Sequence, residues 1–316
     1  MKALNLYEGI RQNNRKILEL IFLFPIVLAG VIYALLALYG RSFLGRDTPT
    51  LQASWGEING WFLTTVPPLI LVCLGITLFS LSCGKKMMLS FAKATPCPKS
   101  LDYLPLHHMV ENLALKAGLP KPELYLVDDQ SLNAFATGYA PKSAAIALTT
   151  GIIQKLDPIE LEAVISHEMG HILNRDIRLN MYIITGLGSL GLIAQILLRS
   201  SYHNSSSKHS NALFKMVGIG LLIFQYVLAP FIHMAVSRSQ EFRADATGAY
   251  LTRHPAALAK ALQKISEDPR VEVLDSSSEM ACACICNPLG KMTSLLDTHP
   301  PIKERIKRLM DMSGKV

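Results

Sequence analysis

Charge is scarce in this sequence. Asp, Glu, Lys and Arg make up 17% of the residues, against about 25% in an ordinary soluble domain. Half of the residues are apolar and the mean hydropathy is +0.29, a composition too apolar for an ordinary soluble enzyme. Internal repeats are absent, which excludes a solenoid or repeat array. Cysteine is limited to six residues, and Cys282, Cys284 and Cys286 form a C-x-C-x-C run. That run reads as free thiols in a reducing compartment; a soft-metal site is the alternative, and it needs a fourth ligand from elsewhere. The net charge of +7 calls for no nucleic acid, because much of the excess flanks apolar runs where membrane topology favours it.

Four apolar runs are long enough to cross a hydrocarbon core of about 30 Å at about 1.5 Å per residue: Leu20 to Tyr39, Trp61 to Leu81, Met181 to Leu198 and Met216 to Val236. The first two carry no charge within their cores. The third is softened by Thr185, Ser189 and Gln195, so a buried helix of a soluble fold is an alternative for it. The fourth contains Gln225, Pro230 and His233, which predicts that its last turns face protein or water. A cleaved signal peptide competes for the first run, but no small-x-small site precedes Arg41, and the run is expected to be retained. Lys2, Arg11, Arg15 and Lys16 before the first run, and Lys85, Lys86 and Lys93 after the second, predict a cytoplasmic N-terminus and a cytoplasmic site.

Between Lys85 and Asp176 the pattern is that of a small α+β unit. Leu106 to Lys116 has helical spacing with Gly118 as its stop, and Glu123 to Val127 and Ala144 to Thr149 read as strands. Asp157, Pro158 and Glu160 spell an N-cap, a first-turn proline and a capping box for the next helix.

That helix carries His167-Glu168-Met169-Gly170-His171. Positions i and i+4 share one helix face, so the two imidazoles can converge on a single metal with Glu168 beside them, an arrangement typical of zinc hydrolases. A third ligand is expected at Glu241, shortly after the fourth apolar run. Two histidines and a glutamate bind one Zn2+ per chain and leave a coordination position for water. Asp245, one turn after Glu241, can accept a ring N–H from a ligating histidine. The competing reading of Glu241 and Asp245 is a solvated helix face with Arg238 and Arg243. Asn133, Ala134, Phe135 and Ala136, with the strand that ends at Thr149, offer an edge on which an extended substrate could pair by its main chain.

The H-E-x-x-H helix, the Ser237-Arg238-Ser239-Gln240-Glu241-Phe242-Arg243-Ala244-Asp245 segment, Asn133 to Gly138, and Thr298-His299-Pro300-Pro301 with Glu304-Arg305-Ile306 together resemble the HtpX group of membrane zinc endopeptidases. The CAAX prenyl protease group shares the metal motif but is expected to hold more spans. The resemblance implies that His167, His171 and Glu241 bind zinc, that Glu168 is the catalytic base and that Asp245 orients a ligand. It also implies that His299 and Arg305 stabilise a developing oxyanion; the alternative is a turn at His299 and a surface pairing at Arg305.

The fold expected is mainly α, with a small α+β zincin-like domain, four transmembrane helices and a cytoplasmic catalytic domain. Residues 1–84 would form one membrane hairpin, 85–180 the first part of the peptidase domain, 181–236 a second hairpin and 237–316 the remainder. The expected function is hydrolysis of peptide bonds in unfolded or damaged proteins for quality control, by an integral protein of the bacterial inner membrane. Its partners would be the lipid bilayer and extended protein or peptide substrates. A zinc-binding membrane scaffold or chaperone that does not cut, and processing of prenylated peptides, are the alternatives.

Overall fold

The computed structural model describes residues 8, 10–19, 60, 67, 70, 71, 74, 75, 82–203, 208–267 and 300–314. The chain divides into two compact units, one of Met1–Asn14, Cys83–Ile184 and Pro230–Val316 and the other of Arg15–Ser82 and Thr185–Ala229.

The first unit is built on a four-stranded sheet of β1 (Thr95–Pro96), β2 (Glu123–Val127), β3 (Ala134–Thr137) and β4 (Ala145–Thr149), in the order β1-β2-β4-β3. β2 and β4 run parallel, and β1 and β3 are antiparallel to their neighbours. Alternation along a strand sends successive side chains to opposite faces. Ile146 and Leu148 of β4 accordingly enter the larger core, while Ala145 and Ala147 join Met88, Leu89, Phe135 and Met181 on the other side. Both faces of β4 are covered, which explains its apolar sequence from Ala145 to Leu148.

Helix α1 (Leu104–Ala117) stops at Gly118, whose φ of 65° is left-handed and suits a residue without Cβ. After the short α2 (Thr150–Lys155), helix α3 (Pro158–Leu173) starts where the sequence predicts. Asp157 Oδ1 accepts from the backbone N–H of Ile159 and Glu160, and Glu160 Oε2 accepts from the Asp157 N–H at 3.1 Å. Nearly all of α3 is buried, packed against α1, β3 and α6 (Pro255–Glu267). Leu258, Ala261, Leu262 and Ile265 form the buried face of α6, and α7 (Ile302–Met312) lies against the same helix.

Helix α3 does not run on into the following apolar segment. Asn174 caps it, Arg175 takes a left-handed φ of 64°, and α4 (Asp176–His203) begins afresh. The last long helix, α5 (Lys208–Thr252), contributes its residues from Pro230 onward to the first unit. Within the second unit, Gly191 lies against the carboxamide of Gln225, and Gly218 against Leu198 and Ala194.

The expectation of four transmembrane helices is corrected here. Among the described residues, no helix is long and apolar enough to cross a membrane. The third and fourth runs lie in α4 and α5, where the polar Gln195 and Gln225 fall among the apolar residues. The Leu20 to Tyr39 run lies outside the described residues, and Trp61 to Leu81 is described only at 67, 70, 71, 74 and 75. The same finding conflicts with the expected placement as an integral protein of a bacterial inner membrane with a cytoplasm-facing site.

Candidate metal centre

Two helices from distant parts of the chain bring the expected ligands together. His167 and His171 lie one turn apart on α3, and Glu241 lies on α5. These helices approach closely because two contact positions are glycine. A Cβ on Gly170 would come within 3.0 Å of the Ala244 carbonyl oxygen, and one on Gly248 within 3.0 Å of the His167 nitrogen. Ser166 Oγ, which donates to the Ala163 carbonyl at 2.7 Å, also lies 3.2 Å from the carbonyl oxygen of Gly248 across the same crossing.

One ligand atom from each of His167, His171 and Glu241 lies within 4.8 Å of the others. The Nε2 atoms of the two histidines are 3.1 Å apart. Glu241 Oε2 is 3.6 Å from His167 Nε2, and Oε1 is 3.7 Å from His171 Nε2. Bonds of about 2.0–2.1 Å in a tetrahedral zinc site place two donors about 3.3 Å apart, so the observed edges bracket the required one.

The far sides of both rings face carboxylates. His171 Nδ1 is 3.0 Å from Asp176 Oδ2, and His167 Nδ1 is 3.0 Å from Asp245 Oδ1. The second contact is short but poorly aligned for a hydrogen bond. When the rings are neutral, as ligation requires, carboxylates at Nδ1 favour the proton there and leave the Nε2 lone pairs turned toward each other and toward Glu241. Two lone pairs and a carboxylate gathered in a buried space fit a divalent cation.

Arg305 of α7 is fully buried and ties the carboxylates together. Its Nε lies 2.9 Å from Asp245 Oδ2 and its Nη2 lies 2.8 Å from Oδ1, while Nη1 lies 2.9 Å from Glu241 Oε2. Burial opposes ionisation of Asp245, but the Arg305 charge and the His167 and Arg305 contacts outweigh it and hold the carboxyl below its ordinary range. For Glu168, burial dominates and pushes the carboxyl up, with Glu241 adding to the rise against His167, His171 and Arg305. Burial lowers His171, yet the hydrogen bond to Asp176 and the charges of Glu241, Asp176 and Glu168 raise the ring to about 9.

Asn133, Ala134 and Phe135 are buried and Ala136 is partly so, along β3 beside α3. The start of that strand is fixed by Thr149, whose Oγ1 accepts from the Asn133 N–H at 3.1 Å and whose own N–H donates to the Asn133 carbonyl at 3.1 Å. His299 and the C-x-C-x-C cysteines lie outside the described residues. Sequence reasoning missed Asp176, whose signal was an acid five residues after His171, just past the helix end.

A family model described as Peptidase family M48 matches residues 101–313. The chain belongs to peptidase family M48. A protein described as "Protease HtpX homolog" from Tropheryma whipplei (strain Twist) is 44% identical over 66% of this chain and 73% of its own length. A second, from Caldanaerobacter subterraneus subsp. tengcongensis, is 36% identical over 99% of this chain and 100% of its own. The crystal structure of S. mikatae Ste24p shares the fold, with a TM-score of 0.50 at 20% identity, covering 97% of this chain and 67% of that one. As an HtpX-like M48 peptidase, the chain is a zinc-dependent endopeptidase of protein turnover, acting on protein or peptide substrates. The His167, His171 and Glu241 cluster forms its site for a single zinc ion.

Proposed function

We propose that this M48 peptidase divides the labour of peptide hydrolysis among named residues as follows. His167, His171 and Glu241 hold the zinc, and the observation that carries the reading is their buried convergence with Glu168 alongside. When bound, zinc supplies a Lewis acid that lowers the pKa of a water and polarises a carbonyl. Glu168 takes the proton of the attacking water and returns it to the leaving amine. A carboxyl held above its ordinary range by burial is suited to carrying a proton between those two steps.

Asp245 and Asp176 orient the two histidines from behind. Arg305 acts by fixing Asp245 and Glu241, since three of its nitrogens already lie against those carboxylates. The oxyanion role of His299 rests on the family resemblance.

The substrate lies extended along β3. Its position at the end of the strand order supports this, because among the described residues the outer side of β3 has no strand partner. Recognition through main-chain hydrogen bonds reads backbone more than side chain, so unfolded or damaged proteins are the fitting substrates.

The test measures zinc content and cleavage of an unfolded model protein by the full chain, before chelation, after it and after zinc is restored. Cleavage lost with chelator and regained with zinc supports the reading. One bound zinc with no cleavage of any unfolded protein would overturn it.

A further inference from the structure

The carboxylate behind His171 is itself held by a residue far away in sequence. Asn13, from helical residues 10–19, is 1% exposed. Its Nδ2 donates to Asp176 Oδ1 at 2.7 Å and to the Asn174 carbonyl at 3.1 Å. Arg243 Nη2, on α5, lies 3.5 Å from Asn13 Oδ1 and 3.4 Å from Asp176 Oδ1. Asp176 therefore presents Oδ1 to an amide and a guanidinium while Oδ2 faces His171 Nδ1 at 3.0 Å.

We infer that Asn13 is a positioning residue of the zinc site, acting on His171 through Asp176 and the helix break at Asn174. The inference rests on the zinc reading above. A carboxamide has two N–H donors and no charge. With one it satisfies the carbonyl of the residue that caps α3, and with the other it fixes the first residue of α4, so it pins both sides of the left-handed Arg175 at once. A second cation in place of Asn13 would compete for the negative charge that supports the His171 ring. A carboxylate there would face Asp176 with like charge at hydrogen-bond distance. An apolar side chain would leave the Asn174 carbonyl without this donor. Only a neutral two-donor group of this length meets all three conditions.

A residue that merely staples the fold would change stability without regard to metal. The two roles separate in a double-mutant cycle of Asn13→Ala and Asp176→Asn in the full chain. Zn2+ affinity is read by competition with a chromogenic chelator, ligand geometry by the visible absorption of the Co2+-substituted protein, and the fold by thermal unfolding of the metal-free form. Asn13→Ala is expected to weaken Zn2+ binding by about tenfold and to alter the Co2+ spectrum. In the Asp176→Asn background the same change is expected to shift affinity by less than about twofold.

Native-like Zn2+ affinity in Asn13→Ala, or a loss of unchanged size in the Asp176→Asn background, would overturn the inference. If Asn13→Ala fails to fold, Asn13→Ser keeps one donor and is expected to show a smaller loss, with no loss overturning the proposal in the same way. A native chain that binds no Zn2+ would remove the metal-site reading as well, whereas tight native binding with an unaffected Asn13 variant removes this inference alone.

Discussion

Arg305 grips Asp245 with two nitrogens at once, Nε at 2.9 Å from Oδ2 and Nη2 at 2.8 Å from Oδ1. The pair is buried, and the third nitrogen, Nη1, reaches Glu241. Two buried carboxylates thus share this planar cation.

Arg305→Lys keeps the charge but loses the two-pronged geometry. Zinc affinity is expected to fall by about 10–100-fold, measured by chelator competition. Arg305→Ala, which leaves buried carboxylates uncompensated, is expected to cost about 3–5 kcal/mol of stability, read from denaturant unfolding. A lysine variant with native zinc affinity would return Arg305 to a simple structural pairing.

Glu168→Gln removes the carboxylate without altering the shape of the site. Zinc content is expected to stay at one per chain, while turnover drops by about 10²–10⁴-fold. Cleavage of an unfolded protein by the variant at the native rate would sink the assignment of Glu168 as the base.

Protonation of His171 gives the metal-free protein a pH signature. The folded ring titrates near 9 against an ordinary 6.5, so its contribution to stability is complete below about pH 6.5. It is lost as pH rises toward and through 9. Thermal unfolding of the metal-free chain should therefore show declining stability across that window, and His171→Asn should flatten the decline. At pH 7, zinc binding should expel about one proton from this ring. Calorimetry in buffers of different ionisation enthalpy measures that release, and a release of zero would contradict the assigned state.

Gly248→Ala is expected to destabilise the protein by about 1–3 kcal/mol, because the new Cβ would meet the His167 nitrogen and Ser166 Oγ, each at 3.0 Å. The neighbour on one side is backbone and has little freedom to give. Zinc affinity should fall with it, since the helices that carry the ligands would be forced apart. Equilibrium unfolding and metal titration of the same variant test both effects.

The metal residues were legible because helical periodicity is local: His167 and His171 are four residues apart, and Asp245 follows Glu241 by the same step. The start of α3 was legible for the same reason, since a capping box is read from four consecutive residues. The break at Arg175 was not, because no glycine or proline marks it and its left-handed backbone is held by tertiary contacts. Asn13 meets Asp176 across 163 positions, a separation at which periodicity carries no information. The close crossing at Gly170 and Gly248 was likewise invisible, as a glycine inside a helix declares nothing about its neighbour until the helices are packed. The membrane expectation rested on the length of apolar runs and the basic residues beside them, whereas among the described residues no helix is long and apolar enough to cross a membrane.

The position of Arg305 in chain order has a consequence for biosynthesis. During translation His167, His171, Glu241 and Asp245 all emerge before it, so until α7 has been made the two carboxylates lack the cation that Arg305 supplies. The order of synthesis thus brings out the metal ligands and the base ahead of the cation that steadies them.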